Sequence, residues 1–300
     1  MSLTLLVFAK QVPDTQNITG EAMKADGTVN RAALPAIFNP EDLDALELAL
    51  QLKSKYGGKV VVATMGPPTA TALLRQALFF GADETILLTD RKFAGADTLA
   101  TSYTLACAAR RFGQFDLILC GRQAIDGDTA QVGPQLAEKL GLPQLTYVES
   151  VRSIANGRIQ ARCQIEAGFE VVDAPLPALL TVVGDDQEPR PPSARRIMRY
   201  KKAMTRSELI ARHGEHVYED ANVLSEEEER LCSKGLWIHE WNAGSIDADA
   251  ERIGLAGSPT KVKQIESVVL GGSHNLRRID ATAEGVARLI HELVKEHILS

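Results

Sequence analysis

The sequence predicts an α/β protein built on an open, doubly wound, mostly parallel sheet, with an antiparallel insertion and an extended C-terminal arm. Three observations carry that expectation. Over the N-terminal two thirds, short β-branched runs alternate with longer amphipathic stretches, the pattern of parallel strands joined by crossover helices. Only 5% of residues are aromatic against 45% hydrophobic overall, so the core is built mainly from Ala, Leu, Ile and Val, which suits helices packed on a sheet. After about residue 145 the spacing changes to that of antiparallel strands separated by glycine turns.

Leu3–Phe8 (LTLLVF), Lys59–Thr64 (KVVVAT) and Asp116–Cys120 (DLILC) are near-continuous apolar runs, as expected of strands covered on both faces. Glu84–Leu88 (ETILL) is a fourth. A helix is expected over Glu41–Tyr56, where Leu43, Leu46, Leu50 and Lys53 recur at helical spacing and Asp42 and Asp44 occupy the first turn. Pro68–Phe80, Asp97–Phe112 with Asp97 as N-cap, and Gln131–Leu140 read as further helices. Antiparallel strands are expected at Tyr147–Ile154, Arg158–Glu166 and Phe169–Ala174, broken by Asn156-Gly157 and Gly168, and Leu179–Val183 returns as one apolar strand. Glu188–Arg196 (EPRPPSARR) reads as an exposed extended loop. Residues 204 to 275 give weak signals, the acidic run Glu226–Glu229 being most simply a solvated helix face. Ala281–Leu299 closes the chain as an amphipathic helix.

Bulk properties narrow the function. A net charge of -6 argues against a polyanion-binding surface, so nucleic acid is not an expected partner. Cys107, Cys120, Cys163 and Cys232 show no ligand spacing and read as reduced thiols. The histidines His213, His216, His239, His274, His291 and His297 form no convincing ligand set, and no metal site is expected. Trp237 and Trp241 are expected to pack on the core or on a partner. The first ten residues lack a signal-peptide pattern, and no run approaches the roughly 20 apolar residues of a membrane span. A cytoplasmic protein is expected.

The segment Gly121–Pro134 (GRQAIDGDTAQVGP) directly follows the strand DLILC and precedes a helix. There, backbone N–H groups can hold phosphate oxygens, while Asp126, Asp128, Thr129 and Gln131 can hydrogen-bond ribose or base. The same spacing also reads as a capped β-to-α loop with Asp128 or Thr129 as cap, and neither GxGxxG nor GxxxxGK[ST] is present.

GRQAIDGDTAQVGP resembles the adenosine-binding signature of electron transfer flavoprotein beta subunits. Companion segments lie in the same order: VFAKQVPD (Val7–Asp14), FNPEDLDALE (Phe38–Glu47), TMGPP (Thr64–Pro68), RQALFFGAD (Arg75–Asp83) and EPR…IM (Glu188–Met198), covering roughly residues 1–200. The resemblance implies an adenine-nucleotide-alpha-hydrolase-like domain over 1–200, with residues 201–300 forming an arm that packs on a partner subunit. It implies an AMP-moiety site made by Ala9, by Asn39, Pro40, Glu41 and Asp42, and by Thr64, Met65 and Gly66. The signature adds Gly121, Arg122, Gln123, Ala124, Ile125, Asp126, Gly127, Asp128, Thr129, Ala130, Gln131 and Val132. Read singly, Asn39-Pro40 is equally a helix start and Gly66-Pro67 a strand-exit turn.

TAQVGP (Thr129–Pro134), GADTLATS (Gly95–Ser102) and SPT (Ser258–Thr260) resemble the electron-bifurcating branch, which implies FAD in place of AMP. Asp97, Thr98 and Thr101 at a helix start would then face its pyrophosphate, although ordinary capping explains the same residues. That branch implies NADH as electron donor, ferredoxin or flavodoxin as one acceptor, and an FAD-carrying alpha subunit. It also implies an acyl-CoA dehydrogenase-type enzyme, docked through a recognition loop. Here Ala194, flanked by Arg195 and Arg196, stands near the place of that loop's anchoring leucine. No catalytic side chain is implied, because the flavin carries the chemistry. A simple carrier with structural AMP and a universal-stress-protein-like nucleotide-binding module are the alternatives.

Overall fold

The computed structural model describes residues 2–14, 34–184, 188–213, 221–260, 279 and 281–295. The apolar runs become strands β1 (Leu3–Phe8), then β2 (Gln11–Pro13) and β3 (Ala36–Phe38), which pair only with each other, then β4 (Gly58–Met65), β5 (Glu84–Leu88) and β6 (Leu117–Gly121). Between them run α1 (Pro40–Tyr56), α2 (Thr71–Phe80) and α3 (Thr98–Phe112), and α4 (Val132–Leu140) follows β6. The next strands are β7 (Gln144–Ala155), β8 (Arg158–Ile165), β9 (Gly168–Pro175) and β10 (Ala178–Val182).

Side-chain alternation along β1 divides the core in two. Leu3, Leu5 and Val7 pack with Leu46, Ala49 and Leu50 of α1 and Leu73 and Leu74 of α2. Leu6 and Phe8 pack on the other side with Ala106 and Ala109 of α3 and Leu136 of α4. Helices thus cover both faces, as the doubly wound expectation requires. The antiparallel insertion is also present: β8 pairs antiparallel with both β7 and β9, while the start of β7 runs parallel to β10.

The weakly patterned stretch after residue 188 is more ordered than expected. Ala194–Arg196, read from sequence as extended loop, instead open a short helix, α5 (Ala194–Tyr200). Its Arg196 donates to the carbonyls of Leu78 and Ala82 (both 3.3 Å), so tertiary bonds fix a segment that three prolines make look extended. Helices α6 (Arg206–His213) and α7 (Ala221–Ser233) follow, then β11 (His239–Trp241), which pairs parallel with β5. The stretch expected to pack on a partner therefore also packs on the chain's own sheet. Within the acidic run of α7, Glu227 pairs with Arg230, and Glu228 lies 3.7 Å from Arg206. Trp241 joins the core beside α3 with Arg111 over its ring. The closing helix is α8 (Ala283–Lys295); the expected extension to Leu299 lies outside the described residues, as do His216, His274 and His297.

The full strand order is β11-β5-β4-β1-β6-β10-β7-β8-β9. Connections leave β1 towards β4 and β5 on one side and return to β6 and β10 on the other. The order reverses between β1 and β6, and a crevice forms beyond their carboxyl ends at such a switch point. Among the described residues, no helix is long and apolar enough to cross a membrane.

Candidate functional site

The chain leaving β1 and the chain leaving β6 are tied together by the start of α1. Asn39 is the residue before that helix, but its side chain makes no capping bond. Its Nδ2 donates instead to the carbonyl of Gln123 (2.8 Å), and its Oδ1 accepts from the N–H of Ile125 (3.1 Å). Glu41 accepts from the N–H of Gln123 (2.9 Å) and from the Arg122 guanidinium (2.6 Å). Asp42 accepts from the N–H of Lys10 (2.9 Å) and of Gly121 (2.7 Å). The NPED segment is thus a clamp beneath the loop Gly121–Gln131 rather than only a helix start.

Close packing fixes residue choice here. A Cβ on Gly121 would lie 2.7 Å from the carbonyl carbon of Glu41 and 2.8 Å from the N of Asp42, so only glycine lets α1 approach the end of β6. Asp42 is buried, and burial pushes its carboxyl up to about 7 against the lowering effect of the bonds from Lys10, Gly121 and Asn39.

Above the clamp the loop turns outward. The N–H groups of Gly127 and Asp128 both bond the carbonyl of Ala124, and Gly127, Asp128, Thr129 and Gln131 are exposed. Asp128 (φ 47) and Ala130 (φ 51) adopt left-handed backbone, which alanine rarely accepts without surrounding constraint. Among the described residues, no acceptor within the chain takes the N–H of Thr129 or Ala130. Lys10 pairs with Asp126 (2.7 Å), and Gln123 donates to Asp128 (3.1 Å).

The start of α3 lies beside this loop. The Asp97 side chain accepts from the N–H groups of Leu99 and Ala100 (both 3.0 Å), as the expected N-cap. Thr98 donates to Gln131 (3.0 Å), Gln135 donates to Thr98 (3.4 Å), and Ser102 donates to Gln135 (3.1 Å). This ladder joins α3 to α4. Partial burial acts to raise the Asp97 carboxyl, and bonds from Ala100, Thr260 and Leu99 outweigh it and hold it below the usual carboxylate range. Thr101 is half-buried one turn further in, its N–H bonded to the carbonyl of Asp97.

The structure therefore brings together Asn39, Glu41, Asp42, Gly121–Gln131, Asp97 and Thr98. Val132 begins α4 and Pro40 begins α1. Ala9 is buried at the end of β1, with its N–H on the carbonyl of Ala63. Thr64 is fully buried, its hydroxyl without a partner, while Met65 and Gly66 beyond it are half-buried. Ala194 and Arg195 are exposed on α5.

Sequence reading passed over Lys10, although it adjoins Ala9, and Gln135, although its spacing of four from Gln131 places both on one helix face. It also passed over Tyr147, held at a bulge in left-handed backbone (φ 54) with Arg122 over its ring. A separate open cavity of about 440 Å³, lined by Arg75, Lys201, Lys202 and Arg212 among others, shares no residue with this crevice. Among the described residues, no group of three or more His, Cys, Asp or Glu is arranged to hold a metal ion.

The residues present fit an adenine nucleotide. The amides of exposed Thr129 and half-buried Ala130, with no acceptor, sit above a clamped turn, carboxylates suited to ribose hydroxyls stand beside them, and a close-packed glycine marks the strand end. Comparison with known proteins gives the family of the chain. The family model for the electron transfer flavoprotein domain matches residues 26–207. The electron transfer flavoprotein subunit beta of Clostridium acetobutylicum is 40% identical over 298 residues, covering 99% of this chain and 100% of that one. The caffeyl-CoA reductase-Etf complex subunit CarD of Acetobacterium woodii is 38% identical over 99% of this chain and 100% of its own length. The acryloyl-CoA reductase electron transfer subunit gamma of Anaerotignum propionicum is 35% identical with the same coverage.

Proposed function

Because the chain belongs to the electron transfer flavoprotein family, as a beta subunit, we propose that it holds FAD by its adenosine diphosphate half and works beside an FAD-bearing alpha subunit. The observation that carries this is the loop Gly121–Gln131 at the switch point, clamped from beneath by Asn39, Glu41 and Asp42 while its tip stays open. Family membership sets aside the stress-protein-like alternative.

Held by the loop Gly121–Gln131 and the start of α3, FAD would supply two-electron and one-electron redox chemistry, with NADH as donor and ferredoxin or flavodoxin and, by way of the alpha subunit, an acyl-CoA dehydrogenase-type enzyme as acceptors. This chain's own residues bind and orient. The amides of Thr129 and Ala130 and the start of α4 favour phosphate oxygens. Gln123 bonds one oxygen of Asp128, which leaves the other to accept from a ribose hydroxyl. The Thr98–Gln131 bond sets the start of α3 beside the loop, extending the polar surface beyond what AMP alone requires. That extension favours FAD over AMP. The caffeyl-CoA and acryloyl-CoA reductase names of two relatives support an acyl-CoA-type partner, and a cytoplasmic location goes with these acceptors.

The test is to purify the chain with its alpha subunit, denature the complex, and count the nucleotides released. Two FAD per heterodimer are expected; one FAD with one AMP overturns the FAD assignment and leaves a simple carrier. Bleaching of the flavin absorbance on addition of NADH, with no other reductant, tests the donor separately.

A further inference from the structure

The C-terminal extension is stitched to the loop that leads from β5 into α3. The N–H of Thr89 bonds the carbonyl of Trp241 (2.9 Å), the N–H of Ala243 bonds Asp90 (3.1 Å), and the N–H of Leu255 bonds the carbonyl of Ala94 (3.0 Å). Gly254 (φ +53) sits so close that a Cβ there would lie 1.9 Å from the carbonyl oxygen of Lys92. The strap ends on Asp97. Ser258 is buried and accepts from the N–H of Asp97 (2.8 Å) while donating to the carbonyl of Gly254 (2.7 Å). Thr260 donates to Asp97 Oδ2 twice, through its hydroxyl (2.7 Å) and its N–H (3.1 Å).

The two oxygens of Asp97 therefore have different duties: Oδ1 caps α3, and Oδ2 belongs to the tail. The next residue, Thr98, holds Gln131 of the nucleotide loop. A chain of bonds runs from residues 258 and 260 through 97 and 98 to 131.

From this geometry we infer that Ser258 and Thr260 are positioning residues of the nucleotide site, setting through Asp97 and Thr98 where Gln131 and the loop stand. The inference rests on the functional reading above. A bare capping role for Asp97 needs only Leu99 and Ala100; the tail contacts add nothing to the helix start and restrain only its placement. An Asp97 released from Thr260 still caps α3, but the helix start is free to shift relative to α4.

The experiment uses the heterodimer with its full-length chain. Wild type, Thr260→Val, Ser258→Ala with Thr260→Val, Thr260→Ser, and Ser245→Ala as a control are compared. Ser245 lies in the same tail but, among the described residues, bonds only within its own turn with Asn242. Two quantities are read: adenine nucleotide retained through gel filtration, and the unfolding midpoint of nucleotide-stripped protein. The double variant is expected to bind nucleotide about tenfold more weakly, the scale of one or two lost charge-assisted hydrogen bonds. Thr260→Val loses less, and Thr260→Ser and Ser245→Ala match wild type, while the stripped Thr260→Val protein unfolds as wild type does. Equal retention by wild type and the double variant overturns the positioning role and leaves the nucleotide site standing. A wild type that retains no adenine nucleotide overturns both. Should the double variant fail to fold, Thr260→Val at its exposed position decides: retention equal to wild type overturns the inference.

Discussion

At the scale of single residues, the site is governed by a buried carboxylate that accepts two backbone N–H bonds. Asp42 joins the N–H of Lys10 to that of Gly121, and thereby the ends of β1 and β6. Burial nevertheless wins over those bonds and raises its carboxyl to about 7, and burial raises half-buried Asp44 to about 6. A raised folded-state value means the native chain holds protons that the unfolded chain releases above about 4. Their contribution to stability is therefore present below that pH and is lost as pH rises through 6 and 7. The urea midpoint is expected to fall between pH 5 and pH 8. In Asp42→Asn the slope shrinks, and the midpoint drops at both pH values because an amide NH₂ now faces a backbone donor, a cost of about 1–3 kcal/mol. A slope unchanged in the variant assigns the titration elsewhere. Asn39 gives a second test. Because it clamps Gln123 and Ile125 and makes no cap bond, Asn39→Ala is expected to leave helix content by circular dichroism unchanged. The same change lowers stability by about 2 kcal/mol and weakens nucleotide retention. Loss of helical signal without loss of nucleotide would return Asn39 to the capping role its position before Pro40 suggests.

At the scale of elements, Arg196 separates what a surface loop does from what a docked helix does. Its guanidinium reaches the carbonyls of Leu78 and Ala82 at the end of α2, where unpaired carbonyls and the helix dipole both favour a cation. Arg196→Ala is expected to lower the unfolding midpoint of the isolated chain by the equivalent of about 1 kcal/mol, whereas the exposed Arg195→Ala leaves it unchanged. Equal midpoints would return Arg196 to a purely partner-facing role. The sequence concealed this helix because EPRPPSARR carries three prolines and little apolar content, and its order comes from bonds to residues more than a hundred positions away. The parallel strands were legible for the opposite reason: LTLLVF, KVVVAT and DLILC are buried on both faces, so their composition alone states their environment. Strand β11 is three residues long and owes its place to β5, which no local pattern reports. The candidate site was legible as a set of loops but not as a mechanism. Asp97 and the SPT turn were each visible as segments, yet the bond between them spans 163 positions and exists only in three dimensions.

At the scale of the whole molecule, the strand-order reversal sets the proposed nucleotide crevice between β1 and β6, and the C-terminal extension returns to brace its α3 side. Among the described residues, α8 keeps an aliphatic stripe uncovered. Val286, Ile290 and Val294 follow one another at intervals of four along one face and are 49%, 50% and 48% exposed, with half-buried Leu289 and Leu293 beside them. A stripe of aliphatic side chains half open to water along three turns is the pattern of a helix that buries its face against another element. The proposal that residues 201–300 form an arm on the partner predicts that the alpha subunit covers it in the heterodimer. Ile290→Glu puts a charge in the middle of that stripe. Burying the unpaired carboxylate would cost several kcal/mol, enough to reduce heterodimer formation at least about tenfold. The isolated chain already holds Ile290 half in water, so its unfolding midpoint is expected to stay within about 0.5 kcal/mol of wild type. Co-purification of the tagged variant with its alpha subunit measures the first effect and urea unfolding of the chain alone the second. Normal heterodimer yield from the variant would show that the alpha subunit binds elsewhere, and a fall in the isolated chain's stability would show that α8 packs on this chain itself.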